Sequence, residues 1–281
     1  MRRERDPLDE RPSAAGEASA RSSLAENAAG RLEASALVER VEAVLRQHRC
    51  AENVGRRRRL RRQRPCVTLA FAQSLDGCIA AGEGAPTAIS NSHTQTLTHR
   101  LRAIHDAILV GVNTVLVDDP QLNVRRVEGR DPRPIVLDSM LRMPLEARIM
   151  RRTGASVLIA TAMEACAKKE ALLEAAGAEV LRIAPGPEQD RSRGLDLADL
   201  LERLFERGIR SVMVEGGARV ITSVLARNLA DQLFLTISPR FFGGVHAVEC
   251  AAGVDLSTSS RLCEVRCATL EDDLIVHGTF G

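Results

Sequence analysis

Apolar and polar positions along this chain fall into runs that predict a repeated strand–helix order from Pro65 onward. Short apolar runs bounded by Gly or charged residues are typical of buried strands, and apolar residues three or four apart are typical of helices. The predicted strands are 66–72, 107–110, 134–137, 157–160, a short one near residue 180, 211–214, 233–238, 262–268 and 274–279. The predicted helices are 94–104, 165–175, 197–205 and 217–228.

This order predicts the fold class. Strands that alternate with helices favour a largely parallel sheet, because each crossover helix returns the chain to the same end of the sheet. The last two strands follow one another directly, which indicates an antiparallel hairpin. We therefore expect an α/β fold with a mixed, mostly parallel sheet flanked by helices and closed by antiparallel C-terminal strands.

The first 64 residues have a different pattern. Residues 1 to about 30 contain almost no large apolar groups, which predicts disorder. Apolar residues at helical spacing between positions 34 and 48 predict one amphipathic helix. We therefore divide the chain into an Arg-rich extension, 1–64, and a domain, 65–281. Because the sheet can be completed from Pro65 onward, we expect deletion of residues 1–63 to leave the activity intact.

The run Arg56-Arg57-Arg58-Arg59-Leu60-Arg61-Arg62 is compatible with an anionic partner. It has no adjacent aromatic platform and no recognisable reading motif, and the whole chain carries a net charge of only +2. A solvated linker is therefore the favoured interpretation, and a nucleic-acid partner is not expected.

Composition narrows the class further. An apolar content of 44% supplies a sizeable core, although the chain has no Trp, no Tyr and only 6 Phe. The 7 cysteines are scattered without a C-x-x-C pair, which is typical of reduced thiols in a cytosolic protein. No apolar run approaches the ~18 residues needed to span a bilayer, and the N-terminus lacks the apolar core of a secretory signal. We expect a cytoplasmic protein with no membrane partner.

The segment 107–125 is the first candidate site. Its apolar strand ends at Gly111, and a turn-rich stretch with Asn113, Thr114, Asp118 and Asp119 follows. An α/β sheet usually builds its ligand crevice beyond the carboxyl ends of its strands. The ordinary alternative is a solvated acidic turn.

A second candidate is SVMVEGGARV, 211–220, a strand followed by a glycine pair and the start of a helix. Glycines let a backbone approach a ligand closely, and the free N–H groups of a helix N-terminus suit a phosphate. Glu215, at the end of the strand, would face the same crevice. A glycine pair between strand and helix is also common as a tight turn.

Two further features are candidates. Asp76-Gly77 follows the first strand and is compatible with a β-turn closed by the Asp side chain. Arg102 and Arg125, if brought to one crevice, would suit a bidentate phosphate contact; scattered surface arginines are the alternative. The sequence has no zinc-deaminase signature and no G-x-S-x-G elbow, so metal and covalent chemistry are disfavoured.

Taken together, these segments resemble the riboflavin-biosynthesis pyrimidine reductases of the stand-alone type, which share the dihydrofolate-reductase-like fold. The matching pieces occur in the family's order over about residues 65–280. They are AQSLDG (72–77), TH-LRA-HDAILVG (98–111), NTVLVDDPQLNVR (113–125), RPIVLDS (133–139), VMVEGGARV (212–220) and ISPRFFGG (237–244).

The resemblance implies NADPH-dependent reduction of a phosphoribosylamino-pyrimidine, in which hydride delivered to C1′ of the ring-opened sugar gives a ribityl side chain. It implies that Thr114 and Asp118 contact the cofactor, and it gives the phosphate cradle as Gly217, Ala218, Arg219, Val220 and Ile221. Peripheral cofactor contacts would be Ala72, Ser139 and Leu195. Substrate contacts would be Arg102, Leu122, Arg125 and Glu215. Asp76 and Glu215 are candidates for protonating the amine, with bulk water as a rival.

The chain departs from the family's bacterial bifunctional branch at two positions. A cofactor-contacting Trp aligns with Ala88 and a substrate-contacting Ser with Pro86, so those two contacts are not carried over. The missing deaminase motif favours 2,5-diamino-6-ribosylamino-4(3H)-pyrimidinone 5′-phosphate as substrate. The alternatives are 5-amino-6-(5-phosphoribosylamino)uracil and a non-catalytic, nucleotide-binding or regulatory homologue. The resemblance also implies a homodimer.

Overall fold

A computed structural model describes residues 14–54, 63–82, 84, 88–152, 154–186, 194–248 and 261–281. Its helices are α1 (Ala14–Val54), α2 (Ser92–Ile104), α3 (Val112–Asp118), α4 (Ala167–Ala175), α5 (Leu197–Glu206) and α6 (Ala218–Ala226). Its strands are β1 (Cys66–Ser74), β2 (Cys78–Ala80), β3 (Ala107–Gly111), β4 (Arg133–Leu137), β5 (Leu158–Ala162), β6 (Glu179–Ile183), β7 (Ser211–Gly216), β8 (Gln232–Ser238), β9 (Val245–His246), β10 (Leu262–Leu270) and β11 (Asp273–Phe280). A 3₁₀ turn covers Arg148–Arg151.

Nine of these strands form one sheet in the order β10-β11-β8-β1-β7-β3-β4-β5-β6. Every neighbouring pair from β8 to β6 is parallel, whereas β11 runs antiparallel to both β8 and β10. The predicted fold class is therefore confirmed, including the C-terminal hairpin. β2 and β9 form a separate two-stranded ribbon that the apolar pattern did not predict, because neither strand is long enough to show a period.

Alternating strand residues build a core on each face of the sheet. Leu109 and Val214 contribute to the face covered by α5 and α6. Ile108 and Val110, the residues before and after Leu109 in β3, point to the opposite face, which α3 and α4 cover. This period of two is what a strand buried on both sides requires, and it explains the nearly continuous apolar runs of the central strands.

Helix α1 is longer than predicted and packs on the sheet. It begins at Ala14, so the disorder expected for residues 14–30 is wrong; the segment is rich in Ala, the strongest helix former, which the low-apolar composition obscured. Its buried face contacts α2 and the strands β10, β11 and β1. The buried side chains of this face are Ala34, Leu37, Val38, Val41 and Leu45. The first 13 residues and the Arg56–Arg62 run lie outside the described residues.

None of the described helices is long and apolar enough to cross a membrane.

The helix predicted from position 94 begins at Ser92, where Asn91 caps it by accepting hydrogen bonds from the N–H groups of His93 and Thr94. The turn expected after β3 is instead the seven-residue helix α3, which ends at Asp119 in a left-handed conformation.

Candidate active site

The carboxyl ends of β3 and β7 lie side by side, and each strand leads directly into a helix. Gly111 is the N-cap of α3 and Gly217 is the N-cap of α6. A β-carbon on Gly111 would stand 3.1 Å from Cγ2 of Val220, so the two strand–helix junctions are in close contact. The space beyond these two strand ends is the place where the sequence predicted a ligand crevice.

A β-bulge places Glu215 in this crevice. Leu109 of β3 pairs with Val214, but the next residue, Val110, pairs with Gly216, so Glu215 is the extra residue of β7. A bulge bends its strand and redirects the side chain that it carries. Gly216 and Gly217 follow with φ angles of 120° and 90°, a region that L-residues rarely adopt. The glycine pair is therefore required by the backbone itself.

Glu215 is held by Arg102 through two parallel hydrogen bonds. Arg102 donates from Nε to Oε1 at 2.5 Å and from Nη2 to Oε2 at 2.7 Å. The two side chains are only 11% and 15% exposed, so this is a desolvated, bidentate pair. Burial alone would lower the pKa of Arg102, but the charge and hydrogen bonds of Glu215 raise it above its ordinary value. The family resemblance implied that both residues contact substrate, but it did not imply that they bind each other.

Arg102 also contacts the segment that carries Arg125. Its Nη1 donates to the carbonyl oxygen of Asn123 at 3.1 Å. The amide oxygen of Asn123 accepts from Nη1 of Arg125 at 3.0 Å, so Asn123 connects the two arginines. Leu122, the preceding residue, is buried with φ of 49°.

Arg125 lies in a concentration of positive charge. Partial burial lowers its pKa, and the nearby charges of Arg102, Arg126 and Arg148 lower it further. Mutually repelling guanidinium groups favour an anion among them, because a phosphate relieves the repulsion and accepts charge-assisted hydrogen bonds. Arg125 is therefore a candidate for binding the phosphate of a ligand.

Thr114 and the N-terminus of α6 face each other across the crevice. A β-carbon on Gly217 would stand 3.5 Å from Oγ1 of Thr114, so any larger side chain would occupy the space between α3 and α6. Ala218, Val220 and Ile221 have buried side chains. The N–H groups of Val220 and Ile221 donate to the carbonyl of Gly217 at 2.9 and 3.1 Å, so the N–H groups of Ala218 and Arg219, in the first turn of α6, are the ones suited to contact a ligand. Arg219 is exposed.

The remaining cofactor candidates are less closely connected. Burial raises the pKa of Asp118, for which the described residues supply no hydrogen-bond partner. Ser139, beyond β4, accepts bonds from Ala162 and Thr161 through its carbonyl. Ala72 is paired in the sheet with Thr236. Leu195 is buried, and its carbonyl accepts a bond from Arg227 at the far end of α6. No described hydrogen bond joins these four residues to Gly217 or Glu215.

Asp76 is fixed by its neighbours. Its carboxylate accepts hydrogen bonds from Ser74 Oγ, from the N–H of Phe242 at 3.2 Å and from the N–H of Gly243 at 2.7 Å. The Ser74 bond and then these backbone bonds hold the pKa of Asp76 well below its usual range. This geometry ties the β1–β2 turn to the loop before β9, and it makes the carboxyl a poor proton donor at neutral pH.

Two polar residues of the site had not been predicted, His99 and Asn123. His99 is 3% exposed, and its Nδ1 accepts a hydrogen bond from the backbone N–H of Arg125 at 3.2 Å. The only signal in the sequence was its position three residues before Arg102, on the same side of a helix. Within the described residues, no group of three or more His, Cys, Asp or Glu side chains is arranged to hold a metal ion.

Comparison with known protein families identifies the class of domain to which this fold and site belong. The model of the RibD C-terminal domain matches residues 65–276, and the chain belongs to this family. The match begins where the sequence analysis placed the start of the second domain, and α1 lies outside it.

Three relatives illustrate the similarity. The chain is 36% identical over 222 residues to the 2,5-diamino-6-ribosylamino-4(3H)-pyrimidinone 5′-phosphate reductase of Methanothermobacter thermautotrophicus, covering 77% of this chain and 98% of that protein. A protein of the same name from Debaryomyces hansenii is 37% identical over 193 residues, covering 64% and 77%. The riboflavin biosynthesis protein RibD of Aquifex aeolicus is 32% identical, and the match spans 76% of this chain but only 57% of the relative.

Solved structures agree. The riboflavin biosynthesis reductase Rib7 of Saccharomyces cerevisiae superposes with a TM-score of 0.61 at 30% identity, covering 78% of this chain and 91% of Rib7. RibD of Acinetobacter baumannii gives a TM-score of 0.65 at 26% identity, covering 78% of this chain and 59% of RibD.

Proposed function

We propose that this protein uses NADPH to reduce the ribosyl side chain of 2,5-diamino-6-ribosylamino-4(3H)-pyrimidinone 5′-phosphate to ribityl. The observation that carries the proposal is the bulge at Glu215. It brings a buried carboxylate–guanidinium pair next to a helix N-terminus on one side and to the charge cluster of Arg125 on the other. A reaction between a phosphorylated cofactor and a phosphorylated substrate needs two anion sites that flank one polar centre.

The residues at the α6 N-terminus suit a dinucleotide phosphate. Gly217 leaves open the space that a β-carbon would fill next to Thr114, and the helix N-terminus supplies N–H donors and positive potential. NADPH, when bound, supplies the hydride. Thr114 and Asp118 would contact it, and Ala72, Ser139 and Leu195 would be peripheral contacts. The turn from Gly217 to Ile221 would hold its phosphates through the N–H groups of Ala218 and Arg219, since those of Val220 and Ile221 donate to the carbonyl of Gly217.

The substrate residues would be Arg102, Leu122, Arg125 and Glu215. Arg125, at the exposed end of the charge cluster, binds the ribose phosphate. Glu215 accepts hydrogen bonds from the substrate, since Arg102 holds its two oxygens in a fixed orientation. These residues lower the barrier by positioning the reacting carbon, an effect that reaches roughly 7–11 kcal/mol in well-oriented systems.

The proton that completes the amine comes from water in this proposal. The depressed pKa of Asp76 keeps that carboxyl ionised at neutral pH, and Glu215 already accepts two hydrogen bonds from Arg102. Glu215 and Asp76 were both candidates from the sequence, and neither is assigned the role of acid.

The names of the archaeal and fungal relatives support the diamino compound over the deaminated uracil compound. The two differ by one exocyclic group, and a site that hydrogen-bonds this group discriminates by orders of magnitude. Measuring kcat/KM for both compounds with NADPH tests the proposal. A clear preference for the uracil compound would overturn the choice of substrate.

Saturable NADPH binding, followed by its fluorescence, tests the cofactor assignment, and turnover of either pyrimidine excludes the non-catalytic alternative. Binding of NADPH without turnover would favour the regulatory homologue.

We also propose a homodimer. Sedimentation at micromolar concentration should give twice the monomer mass of 30.5 kDa, and a monomer would contradict the proposal.

A further inference from the structure

The segment 122–125 between α3 and β4 belongs to no helix or strand, yet its backbone is fixed at every residue. Each of the four residues has one backbone polar group bound by a side chain from outside the segment. Two carbonyl groups accept from arginines: that of Leu122 from Arg152 Nη1 and that of Asn123 from Arg102 Nη1, both at 3.1 Å. Two N–H groups donate to side chains: that of Val124 to Asp131 Oδ1 at 2.7 Å and that of Arg125 to His99 Nδ1 at 3.2 Å. Hydrogen bonds from side chains, rather than those of a β-sheet, therefore set the conformation of the segment.

Two of these four contacts come from one face of α2. His99 and Arg102 are one turn apart, so the pair reaches the segment from a single rigid element. Arg102 holds a carbonyl and His99 holds the N–H two residues later. The segment between these two points carries Asn123, whose amide oxygen accepts from the guanidinium of Arg125.

The contact defines the state of the imidazole. Nδ1 accepts a hydrogen bond from a backbone N–H, so the ring proton of neutral His99 is on Nε2. Burial, together with the charges of Arg102 and Arg125, lowers the pKa of His99 to about 4. A second proton would put two donors face to face and break the bond, so the bond persists at neutral pH.

We propose that His99 is a positioning residue, which fixes the backbone of Arg125 and so directs its guanidinium toward the phosphate of the substrate. This proposal rests on the proposed function, which assigns that phosphate to Arg125. The N–H of Arg125 is two bonds from the side chain's first carbon. Loss of the bond therefore lets the guanidinium move relative to the Arg102–Glu215 pair.

Substitution of His99 by Asn or by Gln distinguishes the roles of the two ring nitrogens. In His99→Asn, Oδ1 can take the place of Nδ1 and accept from Arg125, whereas in His99→Gln the amide reaches the position of Nε2 and Nδ1 has no substitute. We expect His99→Gln to raise KM for the phosphorylated pyrimidine by up to about tenfold, the value of one hydrogen bond. His99→Asn should remain within about threefold of the wild type by the same measure, and kcat and NADPH affinity should change little in both.

His93→Gln is the matched control, since His93 lies on the same helix with 41% of its side chain exposed. The thermal midpoint of each variant is measured to check that it is folded. A double-mutant cycle with Arg125→Ala supplies the decisive measurement: in that background His99→Gln should have no further effect on KM, because the group that it positions is gone. Additive effects, or equal losses in His99→Asn and His99→Gln, would overturn the proposal.

The two proposals fail in different ways. If the wild type reduced neither pyrimidine, the proposed function would be wrong, and the role of His99 would then be measured through binding of inorganic phosphate by titration calorimetry. Weaker phosphate binding in His99→Gln than in His99→Asn supports the positioning role. Equal binding in the two variants and the wild type contradicts it.

Discussion

Helix α1 supplies the sharpest test of how the domain is built, because it carries two leucines in opposite environments. Leu37 is 4% exposed against the sheet, whereas Leu32 is 74% exposed on the same helix. Replacing each by Ala removes the same atoms and changes helix propensity by little. The difference in stability between the two variants therefore measures the packing of α1 alone.

The magnitudes follow from burial. A buried Leu→Ala change costs about 2–5 kcal/mol through lost transfer energy and the cavity left behind, whereas an exposed one stays within about 0.5 kcal/mol. In urea unfolding followed by circular dichroism, Leu37→Ala should have a lower midpoint than the wild type, and Leu32→Ala should have an unchanged one. Equal midpoints would refute the packing of α1 on this face.

The same reasoning revises the expectation for deletion of residues 1–63. Four branched side chains of α1 are buried, Leu37, Val38, Val41 and Leu45, and at roughly 1.5–3 kcal/mol each their burial is worth about 6–12 kcal/mol before the entropy of ordering the helix is subtracted. This is comparable with the ~5–15 kcal/mol stability of a whole domain. We therefore expect the truncated chain to be unfolded or poorly soluble, and a truncated protein of wild-type stability would contradict this.

Three further predictions concern the site and its acid response. Gly217→Val should abolish NADPH binding in a fluorescence titration, because φ of 90° disfavours a branched residue and the new side chain faces Thr114; normal binding would show that the pair is only a turn. Arg125→Ala should raise KM for the phosphorylated substrate by about 10- to 150-fold, the equivalent of 1.5–3 kcal/mol, without weakening NADPH, and equal weakening of both would contradict the clamp. Burial lowers the pKa of His99, His105 and His277 from 6.5 to about 4. Each stays neutral in the folded state while its unfolded counterpart takes up a proton, so the free energy of unfolding is fully retained above pH 6.5 and falls by up to about 1.4 kcal/mol per pH unit per histidine as the pH drops toward 4. Urea midpoints that do not change between about pH 7 and pH 5 would refute this linkage.

Local pattern was sufficient for much of the fold. The strand 107–110 was predicted from four consecutive apolar residues, and it is buried on both faces as that pattern requires. The C-terminal hairpin was predicted because two strand patterns had no helix between them. The length of α1 was underestimated, since alanine is a strong helix former but contributes little to an apolar count.

The site was predicted in pieces and not as an arrangement. The glycine pair was identified from its position between a strand and a helix, but the bulge at Glu215 depends on the register with β3, which the sequence of β7 alone does not contain. Arg102 and Glu215 are 113 positions apart, so their pairing is a property of the tertiary fold. His99 was missed because a single histidine on an amphipathic helix carries no chemical signal of its own.

The packing of α1 against the C-terminal hairpin has a consequence for the order in which the protein is made. A β-carbon on Gly30 would stand 2.4 Å from the carbonyl oxygen of Thr269, and Arg31 pairs with Glu271 at 3.1 Å. Because α1 precedes β10 and β11 by about two hundred residues, the helix leaves the ribosome long before the strands against which it packs. During that interval its apolar face remains partly uncovered, and nascent chains with such faces are prone to aggregate or to recruit chaperones.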